Sequence, residues 1–199
     1  MVFERSVFEA PATEVAPLLL GALLTVEGVV LRITEVEAYL GVGNDPGSHA
    51  YRRQGPKNNT MFGEPGHLYT YLTYGMHVCS NVVCSPTGDA SAVLLRAGEV
   101  VDGIEVARMR RLTSRKDSDL ARGPARLTVA MGIGLADDGA DLASSRVRLE
   151  LPAVASNYLT SLRTGVSGPG GGAEYPWRFW IPGEPSVSPY KAWAPKKRA

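Results

Sequence analysis

Val29-Val30-Leu31-Arg32-Ile33-Thr34-Glu35-Val36-Glu37-Ala38-Tyr39 is the stretch on which the fold turns. It is rich in β-branched residues and alternates in polarity, the pattern of a half-buried strand. Successive strand side chains point to opposite faces. Leu31, Ile33, Glu35, Glu37 and Tyr39 are therefore expected on one face, and Arg32, Thr34, Val36 and Ala38 on the other. Two acids then share a face near the strand end, about 7 Å apart. A half-buried carboxylate needs hydrogen bonds or a function. Two readings are open: one acid activates water as a general base, or both are edge residues paired with arginines.

Around this strand the pattern is mixed α and β. Ala12 to Leu24 carries an apolar stripe and predicts a helix, with Thr13 as a candidate cap and Pro17 inside it. Gly41 to Thr60 reads as a long polar loop holding Asp45-Pro46-Gly47 and Gly55-Pro56. Loops of that length in compact domains are usually functional or disordered. Gly66 to Tyr74 and Met76 to Cys84 read as two strands of a tight hairpin around Gly75. Ala90 to Val100 is a further strand, and Asp102 to Leu112 a helix with Asp102 as its N-cap. Gly123-Pro124 opens a helical segment to Met131. Arg146 to Leu151 and Arg178 to Ile181 are short strands, and Ser167 to Gly172 is a glycine-rich loop expected to be mobile. With no repeat and no linker, residues 1–199 read as one domain.

The chain has 199 residues, 44% apolar and 21% charged, which is globular composition. A domain of this size buries about 70% of its unfolded surface, so disulfide staples are unnecessary. Cys79 and Cys84 have strand-like flanks and read as free, buried thiols. His49, His67 and His77 occupy separate turn-like positions without metal-ligand spacing, so no metal is expected. Met1 to Phe8 carries Glu4 and Arg5 rather than an apolar leader core. No apolar run approaches the roughly 20 residues of a membrane helix. These features predict an intracellular protein without a membrane partner.

Lysine plus arginine is 21 and aspartate plus glutamate 20, a net charge of +1. That total conceals an uneven distribution. Met1 to Ala50 has seven acids against two arginines, net −5. Tyr51 to Asn59 holds Arg52, Arg53 and Lys57 with no acid. Val106 to Arg126 holds Arg108, Arg110, Arg111, Arg115, Lys116, Arg122 and Arg126 against Asp117 and Asp119, net +5. Lys196, Lys197 and Arg198 close the chain. The clusters are either solvated faces or phosphate-binding surface.

The hairpin sequence Gly66-His67-Leu68-Tyr69-Thr70-Tyr71-Leu72-Thr73-Tyr74-Gly75-Met76-His77 places Tyr69 and Tyr71 on one face, opposite Leu68, Thr70 and Leu72, with Tyr74 at the turn. Two readings are open here as well. One is a core tyrosine pair with a surface tyrosine. The other is a platform and wedge for nucleic acid, since aromatic faces stack on bases at roughly 1–3 kcal/mol each and apolar tips enter base steps.

The order of these pieces is similar to that of a known family. Glu37-Ala38-Tyr39-Leu40-Gly41, His49, Met61-Phe62, Pro65-Gly66-His67-Leu68-Tyr69-Thr70-Tyr71, Tyr74-Gly75-Met76, Asn81, Val93-Leu94-Leu95-Arg96-Ala97 and Gly123-Pro124-Ala125-Arg126-Leu127 resemble the alkyladenine (3-methyladenine) DNA glycosylases of the single-domain type without a helix-hairpin-helix. The likeness runs from about Phe8 to Val187.

The resemblance implies a mixed α/β domain with a curved, largely antiparallel sheet, flanking helices and a protruding β-hairpin that enters DNA. It implies a monofunctional glycosylase of base excision repair, needing no cofactor and no metal. Its partner would be double-stranded DNA containing damaged purines, and the protein a monomer, intracellular and DNA-associated (cytoplasm or nucleoid in a bacterium). A base inside a duplex must be flipped out before chemistry reaches it. Tyr74 matches the residue that fills the gap, with Met76 and His77 beside it in the minor groove. The family more often has tyrosine at the position of His77. Tyr39, His49 and Tyr71 match the stacking residues of the base slot, Tyr69 matches a partner that orients His49, and Leu94 lies in a matching motif. Asn81 matches the asparagine that blocks the exocyclic amine of guanine.

Glu37 matches the general base, Arg96 the arginine that helps hold the water, and the Thr164 carbonyl a further water contact. A cationic alkylated purine or hypoxanthine or ethenoadenine would be the substrate. Arg52, Arg53, Arg110, Arg111, Arg115 and Lys116 are candidates for phosphate contacts. Glu35 matches no family role, and is either structural or tunes Glu37. Two other functions stay open: a non-catalytic nucleic-acid binder on the same fold, and a nucleoside or sugar hydrolase using Glu35 and Glu37 as a carboxylate pair.

Overall fold

A computed structural model describes residues 3–195. The Lys196–Arg198 basic cluster lies outside the described residues. The elements are α1 (Ala12–Leu18), β1 (Leu23–Val26), β2 (Val29–Tyr39), β3 (Leu68–Thr73), β4 (His77–Cys84), β5 (Ser91–Asp102), α2 (Ile104–Arg110), β6 (Ala121–Arg122), α3 (Pro124–Met131), β7 (Val147–Glu150), β8 (Leu159–Ser161) and β9 (Arg178–Trp180). The strands form an open antiparallel sheet in the order β3-β4-β5-β2-β1-β7. β6 adds to β5, and β9, with β8 beside it, pairs with β2. β2 is the spine. Its first half pairs with β1 and its second half with β9, while β5 runs along its other edge.

The two faces of the sheet carry different cores. On one, Leu31, Ile33, Val36 and Ala38 of β2 join Val93 and Leu95 of β5, Val15 and Ala16 of α1, and Leu127, Ala130 and Met131 of α3. Each large side chain buried there contributes about 1.5–3 kcal/mol. On the other, Ala50, Met61, Phe62, Tyr69, Val83 and Ala92 form a smaller cluster against which Tyr71 packs.

The strand Val29–Tyr39 is where the sequence places it, but its alternation is broken. The β2–β5 register slips between Ile33 and Glu35 and again between Glu35 and Val36. The first slip makes Thr34 an extra residue on β2, and the second makes Arg96 an extra residue on β5. Leu31 and Ile33 therefore share a core with Val36 and Ala38 instead of a face with Glu35 and Glu37. Bulges of this kind re-aim side chains and gather beside active sites.

Other expectations are corrected. The helix from Ala12 ends at Leu18 rather than Leu24, because Pro17 removes a donor in its last turn and Gly21 takes a positive φ of 85°. Leu23 and Leu24 instead begin β1. The N-cap of α2 is the left-handed Gly103, and Asp102 turns its carboxylate onto the Gly103 N–H at 2.8 Å. Within the glycine-rich stretch only Gly170 is buried, where a Cβ would meet the Gly47 backbone at 2.3 Å. Cys79 and Cys84 are free and buried, as expected.

Candidate active site

Sheet register assembles the site. Tyr69 pairs with Asn81, Asn81 with Leu94, Leu94 with Glu37, and Glu37 with Arg178. These five residues form one row across five strands, and paired residues project from the same face. Leu94 is buried between Asn81 and Glu37 as the apolar link of that row.

Glu37 is fully buried. Its Oε2 accepts the Tyr39 hydroxyl at 2.8 Å and Arg96 Nη1 at 3.2 Å. Its Oε1 accepts the Thr164 backbone N–H at 2.6 Å. Thr164 is thus brought to Glu37, although the group in contact is the N–H and not the carbonyl that the resemblance suggests. The bulged Arg96 spans both acids, donating from Nε to Glu35 Oε1 at 2.9 Å. Burial works against its charge, yet Glu37 and Glu35 hold its pKa above the usual arginine value.

Glu35 is the more heavily hydrogen-bonded member of the pair. It accepts Arg178 Nε at 2.7 Å, the Ser188 N–H at 2.7 Å and the Ser188 hydroxyl at 2.9 Å. Burial pushes its pKa up, but Arg96, Arg178 and the Ser188 N–H outweigh burial and hold it below the ordinary carboxylate value. Neither acid is an exposed edge residue.

Tyr39, whose hydroxyl donates to Glu37, lines a cavity of about 80 Å³ whose walls also include His49, Tyr69, Tyr71 and Asn81. Every aromatic residue assigned to the base slot is brought together there. His49 meets Tyr71 edge-on, ring centroids 4.5 Å apart at 74°. The Tyr69 hydroxyl donates to the Lys57 carbonyl at 3.0 Å and lies 3.2 Å from His49 Nδ1. With its one proton committed to that carbonyl, Tyr69 accepts from His49, so Nδ1 carries the imidazole proton. Burial pushes the His49 pKa below its ordinary value, which favours the neutral ring. Asn81 Nδ2 donates to the Tyr69 carbonyl at 3.0 Å, fixing the orientation of that amide.

Tyr74, Gly75 and Met76 connect β3 to β4, and Tyr74 and Gly75 both adopt positive φ, 51° and 70°. A tyrosine in the left-handed region is strained, and such strain clusters at functional positions. Tyr74 is 76% exposed and Met76 71%, with His77 also exposed. Arg52, Arg53, Arg115 and Lys116 are exposed. Arg110 donates to the Ala130 carbonyl, and Arg111 to the Leu120 carbonyl and Ser114. Arg108 is paired with Asp117 and Glu105, and Arg126 with Asp119.

Reading the sequence missed the buried Asp45–Arg163 ion pair, which fastens the loop carrying His49 to the segment carrying Thr164. It also missed Arg178 and Ser188. The turn signal at Asp45-Pro46-Gly47 was legible, but nothing in it points to a partner 118 residues away. Among the described residues, no group of three or more His, Cys, Asp or Glu side chains is placed to hold a metal ion. No helix among them is long and apolar enough to cross a membrane.

The sequence matches the model of the methylpurine-DNA glycosylase family over residues 6–185. It is 63% identical over 195 residues to a Leifsonia xyli protein named "Putative 3-methyladenine DNA glycosylase", covering 94% of this chain and 92% of that one. A protein of the same name from Streptomyces avermitilis is 50% identical over 203 residues, covering 98% and 94%. Another from Nocardia farcinica is 50% identical over 181 residues, covering 87% and 84%.

Proposed function

The chain belongs to the methylpurine-DNA glycosylase family, and on that premise we propose that it is a monomeric, monofunctional glycosylase that flips alkylated or deaminated purines out of intracellular duplex DNA. The observation that carries this reading is the buried Glu37, held by three donors, one of them the hydroxyl of Tyr39 in the wall of an aromatic cavity.

Tyr74 enters the minor groove and fills the space left by the flipped nucleotide, with Met76 and His77 beside it. The exposed tip and the left-handed Tyr74 backbone support this role. The base enters the cavity between Tyr39 and Tyr71, with His49 against its edge. Cationic alkylated purines gain attraction from the electron-rich rings. Asn81 clashes with the 2-amino group of guanine.

Glu37 accepts a proton from a water molecule as that water attacks C1′ of the sugar. The bond between C1′ and the base nitrogen breaks, and its electron pair leaves with the base. The carboxylate also faces the positive charge that develops on the sugar. The products are free base and an abasic site. No lysine matches a nucleophile that would carry the reaction on to strand cleavage.

The test is base release from duplexes carrying 3-methyladenine, 7-methylguanine, hypoxanthine or ethenoadenine. Free base with intact strands is the expected result. Binding without an abasic product would favour a non-catalytic binder, and activity on free nucleosides would favour a small-molecule hydrolase.

A further inference from the structure

Asp45 and Arg163 are both fully buried and play no part in the steps above. Arg163 Nη1 lies 2.6 Å from Asp45 Oδ2 and Nη2 2.7 Å from Oδ1, a two-pronged pair. Nη1 also donates to the Ala38 carbonyl at 3.0 Å and Nη2 to the Gly170 carbonyl at 2.6 Å. Asp45 in turn accepts the backbone N–H groups of Leu40 at 3.1 Å and Gly47 at 2.9 Å. The guanidinium sits over the Tyr39 ring, Cζ 4.5 Å from the centroid. Tyr39 also lines the cavity, and with one face of its ring under the guanidinium, a base stacking on it can use only the other face.

We propose that the Asp45–Arg163 pair determines which charge of base the other face of Tyr39 accepts. The proposal rests on the reading that Tyr39 stacks on the flipped base. An aromatic face attracts a cation through its quadrupole. A guanidinium 4.5 Å behind the ring, with a base at van der Waals distance in front, lies roughly 8 Å from that base. Uncompensated, it would repel a cationic base across a site where charge interactions are stronger than in water. The two-pronged carboxylate of Asp45 cancels that field. Tyr39 thereby gains a flat, rigid backing without a net positive charge, and a cationic 3-methyladenine is accepted as readily as a neutral hypoxanthine. Asp45 and Arg163 act through Tyr39 and are positioning and specificity residues, not catalytic ones.

The test compares two substrates under single-turnover conditions with enzyme in excess. One is methylated DNA carrying 3-methyladenine, cationic while it is bound to the sugar, and the other a duplex with neutral hypoxanthine. The quantity read is the enzyme concentration giving half the maximal rate. Asp45→Asn leaves the guanidinium uncompensated. It is expected to raise that concentration for 3-methyladenine about tenfold more than for hypoxanthine, about 1.4 kcal/mol. Arg163→Met leaves the carboxylate uncompensated and is expected to shift the ratio the opposite way. The double variant is expected to return it to within about twofold of the wild type.

Damage to the fold alone would change both substrates together. If Asp45→Asn does not fold, the direction given by Arg163→Met decides. An unchanged ratio in the folded single variants overturns the proposal. A wild type that releases neither base overturns the stacking reading instead.

Discussion

The Thr164 backbone N–H lies 2.6 Å from Glu37 Oε1, although the residues are 127 positions apart. Together with Arg96 and the Tyr39 hydroxyl on Oε2, it orients both oxygens of one carboxylate with donors from three segments. Orientation of this kind is a large part of what a catalytic base requires.

Glu37→Gln keeps the shape and loses the proton acceptor. Base release is expected to fall about 10²–10⁴-fold, the usual contribution of general-base catalysis. Affinity for a lesion-containing duplex, read by gel shift, should be retained. Equal loss of release and binding would make Glu37 a structural residue.

Glu35 predicts a pH effect on stability. Its folded pKa is depressed from 4.5, so the folded state holds the proton less tightly than the unfolded chain. The stabilisation is present above pH about 4.5 and is lost as pH falls through the folded value. Glu35→Gln leaves Arg178 without its carboxylate and Arg96 with Glu37 alone, and is expected to cost about 3–5 kcal/mol at pH 7. The gap from wild type should narrow below pH 4 in urea titrations. A gap that widened toward acid would contradict the assigned sign.

At the hairpin tip, stability and function should move apart. Tyr74 has φ 51°, a region glycine occupies without steric cost. Tyr74→Gly is expected to leave the melting temperature unchanged or raise it slightly, while release from duplex DNA falls at least about tenfold because the wedge is gone. Unimpaired release from duplex DNA would remove Tyr74 from the flipping step.

What the sequence revealed and concealed follows from range. β2 was legible because its run of β-branched and alternating residues is a local pattern, and α3 because Gly123-Pro124 opens it. The slips at Thr34 and Arg96 were not, since a bulge depends on how two strands meet. The base-slot residues were legible only through their resemblance to a family. Their convergence is a matter of register: the row from Tyr69 to Arg178 draws on residues of five strands. Asp45 and Arg163 were invisible as a pair because a buried ion pair between two loops leaves no periodic trace.

Asn81 offers a selectivity test. Its amide is held by the Tyr69 carbonyl and stands in the cavity wall. Asn81→Ser shortens the side chain and makes room for a 2-amino group. Release of 7-methylguanine relative to hypoxanthine is expected to rise about tenfold, the lower range for a small change in pocket fit. An unchanged ratio would defeat the steric account.

Salt dependence separates the basic residues that meet phosphate from those already neutralised. Arg108 is committed to Asp117 and Glu105, and Arg126 to Asp119. Arg52 and Arg53 are exposed and make no ion pair among the described residues. Each phosphate contact contributes about 0.9 to the slope of log affinity against log salt. Changing Arg52 and Arg53 together to alanine should lower that slope by about 2, whereas Arg108→Ala should leave it nearly unchanged. The net charge of +1 and the internal pairing of so many arginines predict a shallow wild-type slope. A wild-type slope near the lac-repressor value of about 10 would place the DNA surface elsewhere on the molecule. So would an effect of Arg108→Ala as large as that of the Arg52 and Arg53 pair.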